Sequence, residues 1–413
     1  MELLSLKRPR IFYGWWIAFA GLLINFYLAG TFWYGFSAFF QPLTDEFGWT
    51  RAAISVAFSI QSSEAAVLGP FAGFAIDRFG PRGIMIFGIT MSVIGFFLLS
   101  FANSIWTFYG AYAVVSLGLS FGSWLAISTA INNWFDQKKG RAFAIMTLGA
   151  GLGGMLTPLV VILIDVVGWR VALQLIGAGL MLVGYPTAAM VRRDPEPYGF
   201  LPDGVPLGDS AQEECDDIDP SLGDILRSRA FWQIGFAVAF GFFIVNAIIA
   251  HQIPALESFG VSRGSAGFVI TIMTLASLAG RWIGGTTADY WDKRKVLVVA
   301  FIMQFVGLII FVNIRVFWHA VVFALIFGPG FGASIPTRPA LQGEYFGRQS
   351  FGSLMGILYS MTGIGGATGP VLAGWMFDTW GSYRMALFLM ALPMLASILL
   401  FGLLKKPDWS QER

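Results

Sequence analysis

Long apolar stretches, interrupted only by scattered small or polar residues, recur along the whole chain. A helix needs about 20 mostly apolar residues to cross the hydrocarbon core of a bilayer. Most of these stretches are at least that long, and polar or charged clusters separate them. The pattern predicts an all-α membrane protein with twelve transmembrane helices. We place them at 13–41, 51–77, 83–103, 105–133, 141–166, 169–191, 229–257, 264–289, 295–314, 316–344, 350–377 and 383–404.

The connections between many of these segments are short, so successive helices must run antiparallel. Lysine and arginine then divide unequally: twenty of the 26 fall on the side that holds both termini, five fall on the other side, and Arg281 lies within a segment. Positive charge favours the cytoplasmic side. We therefore expect a multi-pass protein of the inner (plasma) membrane with cytoplasmic N- and C-termini. The basic start of the chain is interpreted as the lead-in to a retained helix, not as a cleaved signal peptide.

One polar segment divides the chain. Residues 192–228 are rich in Pro, Gly, Asp and Glu, and they carry too little apolar surface to fold as a domain. We interpret them as a cytoplasmic linker with one short surface helix near 220–228. The linker would join an N-terminal six-helix bundle at 1–191 to a C-terminal six-helix bundle at 229–413.

The two halves repeat each other at an offset of about 212 residues. FGWTR at 47–51 matches FGVSR at 259–263, and GLGGMLTP at 151–158 matches GIGGATGP at 363–370. A parallel repeat of this kind predicts two bundles related by a pseudo-two-fold axis along the membrane normal. The substrate site is then expected near the midplane, between the bundles.

Composition narrows the functional classes. The 413 residues are 56% hydrophobic and 12% charged, whereas soluble domains are about 25% charged. The net charge of +2 gives no reason to expect a nucleic-acid partner. A single cysteine, Cys215, and two histidines make a disulfide framework or a metal site implausible. The sequence has no phosphate-binding GxxxxGK[ST] loop and no visible nucleophile–base pair, so we expect no cofactor, no catalytic residues and no enzyme activity.

Arg281 is the one cation that the pattern places well inside a membrane segment, in the run LAGRWIGG. A cation in hydrocarbon costs ~3 kcal/mol or more, so it normally faces a watery cavity or a counter-ion. The planar guanidinium can hold a carboxylate through two parallel hydrogen bonds. Arg281 therefore predicts a membrane carrier of organic anions.

Three further ionisable side chains fall within the predicted helices. Glu64 lies deep, about 20 Å from the cytoplasmic end at 1.5 Å per residue, where it could carry a proton, pair with Arg281 or hydrogen-bond a neighbouring backbone as a neutral acid. His251 could titrate during transport or hold a hydrogen-bond network. Arg338 could attract anions, close the inner gate with Glu344 or another acid, or extend its side chain towards the surface.

Aromatic and amide side chains of several helices could line a cavity around the carboxylate. Each alone is explained better by packing or by a position facing lipid. Together they predict an aromatic-walled pocket suited to a small acid with an apolar tail. They are Asn25, Tyr27, Tyr34, Gln61, Trp124, Asn246, Phe331 and Tyr359.

The segment GFAIDRFGPRG at 73–83 is similar to the signature loop between the second and third helices of the major facilitator superfamily. A degenerate copy, GTTADYWDKRK, follows at 285–295. In that family the loop clamps the cytoplasmic gate, because acidic and basic groups at closely packed helix ends can pair in one state and separate in the other. Solvated charges that only set the topology are the alternative. The resemblance implies gate roles for Asp77, Arg78, Arg82 and Asp289.

Within this superfamily the chain resembles the monocarboxylate transporter and oxalate/formate antiporter branch. The resemblance rests on YGWW at the start of the first helix, FGWTR after it, WFDQKKGRAFAI after the fourth helix and LAGRW in the eighth. In that branch the eighth-helix arginine binds the substrate carboxylate, and Arg281 is the matching residue.

Two departures from the branch bear on the substrate. The eleventh-helix lysine of oxalate carriers falls here on Leu358. The first-helix lysine and the eighth-helix aspartate of animal lactate carriers fall on Trp33 or Tyr34 and on Ser277. One fixed cation suits one carboxylate, because a second negative charge would stay uncompensated at low dielectric. These positions favour a monocarboxylate over oxalate, and Trp33 and Tyr34 join the expected substrate site.

These features predict a secondary transporter that moves a small monocarboxylate, such as lactate or pyruvate, together with a proton by alternating access. Arg281 would hold the anion, and a protonated group, Glu64 or His251, would offset its charge. A monomer suffices for this architecture. An organic-anion exchanger of the oxalate/formate type is the nearest alternative, and an anion channel is a more distant one.

Overall fold

The computed structural model describes residues 11–206, 220–407 and 409, and these residues are almost entirely helical. The basic start of the chain and Cys215 lie outside the described residues. We number the membrane-spanning helices α1–α12 in chain order. The first bundle contains α1 at Gly14–Leu28 with a π-helical turn at Ala29–Trp33, α2 at Arg51–Phe79, α3 at Pro81–Ser100, α4 at Ile105–Gly122 and Trp124–Trp134, α5 at Lys139–Leu152 and 157–167, and α6 at 169–190.

The second bundle begins after the linker. It contains α7 at Arg229–Ser258, α8 at Arg263–Tyr290, α9 at Lys293–Val312, α10 at Phe317–Phe346, α11 at Phe351–Trp380, and α12 at Tyr383–Leu389 and Ala391–Gly402. Short helices occupy Gly35–Phe39, Phe40–Phe47, Gly153–Leu156, Glu196–Tyr198, Pro202–Gly204 and Leu222–Arg227.

The predicted twelve spans are confirmed. Nine helical stretches of the described chain combine sufficient length with high hydropathy. One of them, Lys139–Met190, is two spans, because Gly168 at φ 80° breaks the helix there. Arg51–Phe79 and Phe351–Trp380 complete the set, since their 29 and 30 residues are more than long enough to cross a bilayer.

Local chemistry sets many helix ends. Ser104 begins α4 with a reciprocal capping box in which it exchanges hydrogen bonds with Thr107. Ser228 and Ser262 accept hydrogen bonds from backbone N–H groups at the starts of α7 and α8. Gly80 adopts φ 83° between α2 and α3, where a β-carbon would be strained, so the chain can reverse direction there without a longer loop.

Two predicted helices are less regular than the hydrophobic pattern suggests. The first was expected to run continuously over 13–41, but it passes through the π-helical turn Ala29–Trp33 and ends before a separate helix at Phe40–Phe47. The fourth breaks at Ser123, whose φ of −129° and ψ of −99° are not helical. An apolar run sets the length of a span but not its backbone hydrogen-bond register, so these breaks leave no mark in the pattern.

The two bundles meet where α2 packs on α11 and where α5 packs on α8. Glycines bring these backbones close together. A β-carbon at Gly73 would lie 2.1 Å from the carbonyl oxygen of Gly352, and one at Gly140 would lie 2.1 Å from that of Gly285. The repeat offset relates Gly73 to Gly285 and Gly140 to Gly352, so it relates the one glycine pair to the other. The two interfaces are therefore equivalent, as the predicted pseudo-two-fold axis requires.

We call the face that carries residues 11 and 407 and the linker the inner face; the charge bias predicts that it is cytoplasmic. Among the described residues, hydrogen bonds and glycine contacts between the bundles run from this face only as far as Gly151 and Gly363. The bundles are thus closed against each other at the inner face.

Candidate substrate site and inner gate

Arg281 lies in the middle part of α8, about 13 Å from the inner end of the helix at 1.5 Å per residue. Its side chain is only 7% exposed and points at α5 of the opposite bundle. There Nη1 donates a hydrogen bond to the carbonyl oxygen of Thr147. Gly151, one turn further along α5, leaves room for the guanidinium, since a β-carbon at this position would lie 3.1 Å from Nη1.

The opposite edge of the same guanidinium forms no hydrogen bond with the described residues. Nε of Arg281 is buried and has no hydrogen-bond partner among the described residues, and no hydrogen bond from Nη2 to them is present. Nε and Nη2 form the side-on edge of an arginine, from which two parallel N–H groups can reach both oxygens of one carboxylate. A buried donor without an acceptor costs ~1–3 kcal/mol, which a bound anion would recover. Arg281 is not locked to an acid of the described chain.

The end of α1 lies near this arginine. Tyr34 follows the π-helical turn, interacts electrostatically with Arg281 and approaches Gly154, where a β-carbon would lie 3.8 Å from its ring. Its side chain is 49% exposed. Trp33 ends the same turn and is 39% exposed. The structure thus brings Tyr34 and Arg281 together, and it holds Trp33 beside Tyr34 in the chain.

The other expected cavity residues are more scattered. Asn25 and Tyr27 use their side chains within the first bundle, donating to the carbonyls of Gly21 and Ile176 at 2.8 and 2.6 Å. Gln61 accepts a hydrogen bond from Tyr112 in the same bundle. In this conformation these three side chains make contacts within the first bundle, as the packing alternative predicts. None of the remaining four side chains is fully buried. They are Trp124 on α4, Asn246 on α7, Phe331 on α10 and Tyr359 on α11.

Glu64 faces into the first bundle, away from Arg281. It accepts a hydrogen bond from the hydroxyl of Ser116 on α4, and it interacts electrostatically with Tyr112. Among the described residues no lysine or arginine pairs with it. The ion pair with Arg281 that the sequence left open is therefore not formed in this inner-closed conformation.

His251 links three helices near the outer end of α7. One ring nitrogen, Nε2, lies 2.9 Å from the carbonyl oxygen of Pro370, and the other, Nδ1, lies 3.3 Å from the hydroxyl of Tyr383. A carbonyl can only accept, so Nε2 donates to Pro370, while Nδ1 shares the second hydrogen bond with the tyrosine hydroxyl. Of the two roles that the sequence left open, titration during transport and a hydrogen-bond network, this geometry agrees with the network.

Asp77 closes the inner end of the α2–α11 interface. Its carboxylate accepts from the backbone N–H groups of Gly352 and Ser353 at 2.9 and 2.7 Å, and from the Ser353 hydroxyl at 2.6 Å. These groups form the first turn of α11, where unpaired N–H groups and the helix dipole favour an anion. The signature-loop aspartate thus caps a helix of the opposite bundle.

Asp289 does the same at the α5–α8 interface. It accepts from the N–H groups of Gly140 and Arg141 at 2.7 and 3.3 Å, and the Arg141 side chain lies 3.2 Å from the same carboxylate. Asp77 and Asp289, and also their glycine partners, are related by the repeat offset. Two equivalent carboxylates therefore hold the inner face shut.

Arg78 and Arg82 do not take part in this closure. Both side chains are exposed, and Arg78 lies over the ring of its neighbour Phe79. No ion pair joins either of them to the described residues. Their place beside the gate aspartate is taken by Arg193 of the linker, which donates to the Asp77 carbonyl oxygen at 2.9 Å. At Asp77 the Asp–helix contact replaces the expected Asp–Arg pairing, whereas Asp289 also has an arginine partner, Arg141.

The beginning of the linker is part of the gate, which sequence reasoning missed. Asp194 and Glu196 approach Arg348, in the loop before α11, at 3.9 and 2.8 Å. Asp203, in a left-handed conformation, accepts three backbone hydrogen bonds from the loop between α4 and α5. A cavity of about 280 Å³ lies among Asp194, Glu196, Arg348 and the helix ends. It belongs to the gate, since Asp77 lines it.

The sequence model of the Major Facilitator Superfamily matches residues 22–257 and again residues 247–412. The chain belongs to the major facilitator superfamily. Its members are transporters and not enzymes, in agreement with the sequence analysis. The two matches together span both bundles of this superfamily member, so the gate and Arg281 lie within its shared architecture.

Curated relatives of this superfamily member are distant but cover most of its length. An oxalate:formate antiporter of Oxalobacter formigenes is 26% identical over 358 residues, which cover 83% of this chain and 82% of that protein. Monocarboxylate transporter 12 of Mus musculus is 27% identical over 350 residues, which cover 78% of this chain and 71% of that protein.

Solved structures show the same fold. The transporter FucP in its outward conformation superposes with a TM-score of 0.73 at 13% identity, covering 95% of this chain and 99% of that one. The human organic anion transporter MFSD10 gives a TM-score of 0.72 at 12% identity, covering 94% and 99%. The predicted two-bundle architecture is thus confirmed.

Proposed function

We propose that this transporter moves a small monocarboxylate together with a proton, and that Arg281 binds the carboxylate. The observation that supports this most is the free side-on edge of a buried guanidinium at the interface of the two bundles. The aromatic side chain of Tyr34 lies beside it and suits a small acid with an apolar tail. Relatives named for monocarboxylate and oxalate:formate transport agree with an organic anion as cargo.

We assign the proton to Glu64 in preference to His251. Both ring nitrogens of His251 already have partners that hold helices together. Glu64 has a hydroxyl partner, Ser116, and no cation of the described chain pairs with it, so no ion pair holds its proton state fixed. It lies in the bundle opposite to Arg281, which would let the anion and the proton load from different sides of the interface.

The test is transport by the full chain in liposomes with an imposed pH gradient, together with binding of lactate, pyruvate, acetate and oxalate. Arg281→Gln removes two charge-assisted hydrogen bonds, and we expect carboxylate affinity to fall ~100-fold or more. Arg281→Lys should retain little binding, because a point charge cannot reproduce the fork. Arg384→Gln is the control, since that arginine also donates to a backbone carbonyl, of Val312, but lies near the outer face.

The outcomes separate the alternatives. Uptake driven by a pH gradient alone supports symport, and Glu64→Gln should then lose it while anion counterflow persists. A strict requirement for anion inside the liposome would instead support the exchange mechanism. Flux that does not saturate and shows no trans-stimulation would indicate a channel. Carboxylate binding unchanged in both Arg281 variants would refute the proposed site.

A further inference from the structure

Arg338 is a second arginine inside the membrane region, on α10 about 12 Å from the inner end of the helix. The sequence suggested Glu344 as a partner, but Glu344 pairs with Lys293. No acid elsewhere in the described chain forms an ion pair with Arg338. A cation that lacks a counter-ion at this depth requires a reason, as it does for Arg281.

The direction of the side chain argues against extension to the surface. Nε of Arg338 donates to the carbonyl oxygen of Ser334 at 2.9 Å, one turn closer to the outer face. The guanidinium carbon lies 4.6 Å from the centre of the Phe242 ring on α7. On the third side, Tyr359 of α11 interacts with it electrostatically. Arg338 therefore points into the membrane, held between helices of the second bundle.

The packing of α8 on α10 gives the relative depth of the two arginines. A β-carbon at Gly284 would lie 2.4 Å from the Ala333 side chain, and one at Gly332 would lie 2.0 Å from the Ser277 carbonyl oxygen. This register places Arg281 level with the Ser334 region, to which Arg338 bonds. Both guanidinium groups thus lie within about one helical turn, ~5 Å, of the same depth on neighbouring helices.

We propose that Arg338 forms a second anion subsite, which takes the distal carboxylate of a dicarboxylate whose proximal carboxylate lies on Arg281. This inference rests on the proposed function of Arg281 and widens its substrate class. The carboxylates of oxalate are directly joined, whereas the two arginines stand on helices whose axes are on the order of 8 Å apart, so the proposed ligand class is a dicarboxylate with a carbon spacer, such as succinate. The argument from a single cation, which favoured monocarboxylates alone, then no longer holds.

Butyrate and succinate provide a matched pair of ligands, since both have four carbons and they differ in one carboxylate. We would measure their dissociation constants for the purified full chain by calorimetry. Wild type should bind succinate about 10-fold or more tightly than butyrate, as expected for one additional charge-assisted contact. Arg338→Gln should reduce that ratio to about 1 and leave butyrate binding within about 3-fold. Arg281→Gln should lose both ligands.

Several results would overturn the second subsite. They are equal affinities of the two ligands for wild type, an unchanged ratio in Arg338→Gln, and an equal loss of both ligands in that variant, which would indicate a structural role. If the Gln variant does not fold, Arg338→Lys carries the test, and an unchanged ratio there refutes the proposal. Wild type that binds monocarboxylates without preferring succinate contradicts only this inference, whereas wild type that binds no carboxylate contradicts the proposed function.

Discussion

Replacing the gate aspartate by its amide tests how the inner face is held shut. Asp77→Asn keeps the shape of the side chain and one carbonyl oxygen but removes the charge and the second acceptor. In the closed state that second oxygen receives either the Gly352 N–H or both donors of Ser353. In an inner-open state water would solvate either side chain, so the change acts mainly on the closed state.

The size of the effect follows from the contacts that are lost. A charge-assisted hydrogen bond contributes ~1.5–3 kcal/mol, and a helix N-cap contributes ~0.5–2 kcal/mol. We take ~2 kcal/mol, which is about a 30-fold shift towards the inner-open state. Asp289→Asn should act similarly through the equivalent contacts. The two carboxylates share no partner, so the double variant should shift the equilibrium by roughly 10³-fold.

Spin labels on the inner face measure this equilibrium. Gly83→Cys and Lys295→Cys are equivalent positions on opposite bundles; Gly83 has open space around it and Lys295 is exposed. The native Cys215 would be replaced by serine. Asp292→Asn is the control, because this carboxylate caps α9 within its own bundle by accepting from the Arg294 N–H at 2.9 Å.

The expected result is a longer inter-label distance that gains population in Asp77→Asn and gains most in the double variant. The reasoning fails if the double variant has the same distance distribution as wild type. It also fails if Asp292→Asn opens the inner face as much, because helix capping within one bundle would then account for the change.

Three further substitutions test other contacts. Gly73→Ala should open the inner face in the same spin-label measurement, because a β-carbon would lie 2.1 Å from a carbonyl oxygen of α11. Gly110→Ala is the control, since nothing lies within 4 Å of a β-carbon there. Equal label distances in the two variants would contradict the close-contact argument. Trp169→Phe should lower the melting temperature at pH 7, because hydrogen bonds from Trp169 and then Arg170 hold the pKa of Glu46 below its usual value of about 4.3. The part of the difference that the carboxylate contributes is present above the unfolded-state pKa of Glu46 and should be lost as the pH falls through its lowered folded-state pKa, and a difference that does not change with pH would refute the assignment. His251→Gln should keep the pH dependence of uptake, since both ring nitrogens serve as links between helices, and loss of that dependence would make His251 the proton carrier.

The sequence predicts the twelve spans and the repeat because both depend on patterns of residue type. It also predicts the two signature-loop aspartates as gate residues, but the partner that it gives Asp77 is wrong. Asp77 was expected to pair with basic side chains, and it binds backbone N–H groups of Gly352 and Ser353 instead. Every residue except proline has such a group, so composition gives no sign of which ones are used. The repeat offset was the available signal, because it pairs Asp77 with Asp289 and Gly352 with Gly140.

The contacts of the linker escaped the sequence analysis for a different reason. A segment poor in apolar residues gives no packing signal, so the sequence does not show where 192–206 attaches. The structure fixes this part through a few charged contacts, such as Glu196 with Arg348 and Asp203 with the loop before α5. The π-helical turn before Tyr34 was also invisible, because it changes the backbone register without changing the hydrophobic pattern.

The repeat also explains why the proposed substrate site lies on one side of a nearly symmetric interface. The position equivalent to Arg281 in the first bundle is Gly69, which packs directly on Gly356 of α11. At α5–α8 the guanidinium fills that place and bonds to the Thr147 carbonyl. Opening of the inner face must separate α8 from α5 and remove this acceptor. Water would then solvate the guanidinium of an empty site, whereas a bound anion would pair with its Nε and Nη2 groups. In the proposed mechanism, this exchange of one glycine for arginine places the anion contact at the interface that must separate when the inner face opens.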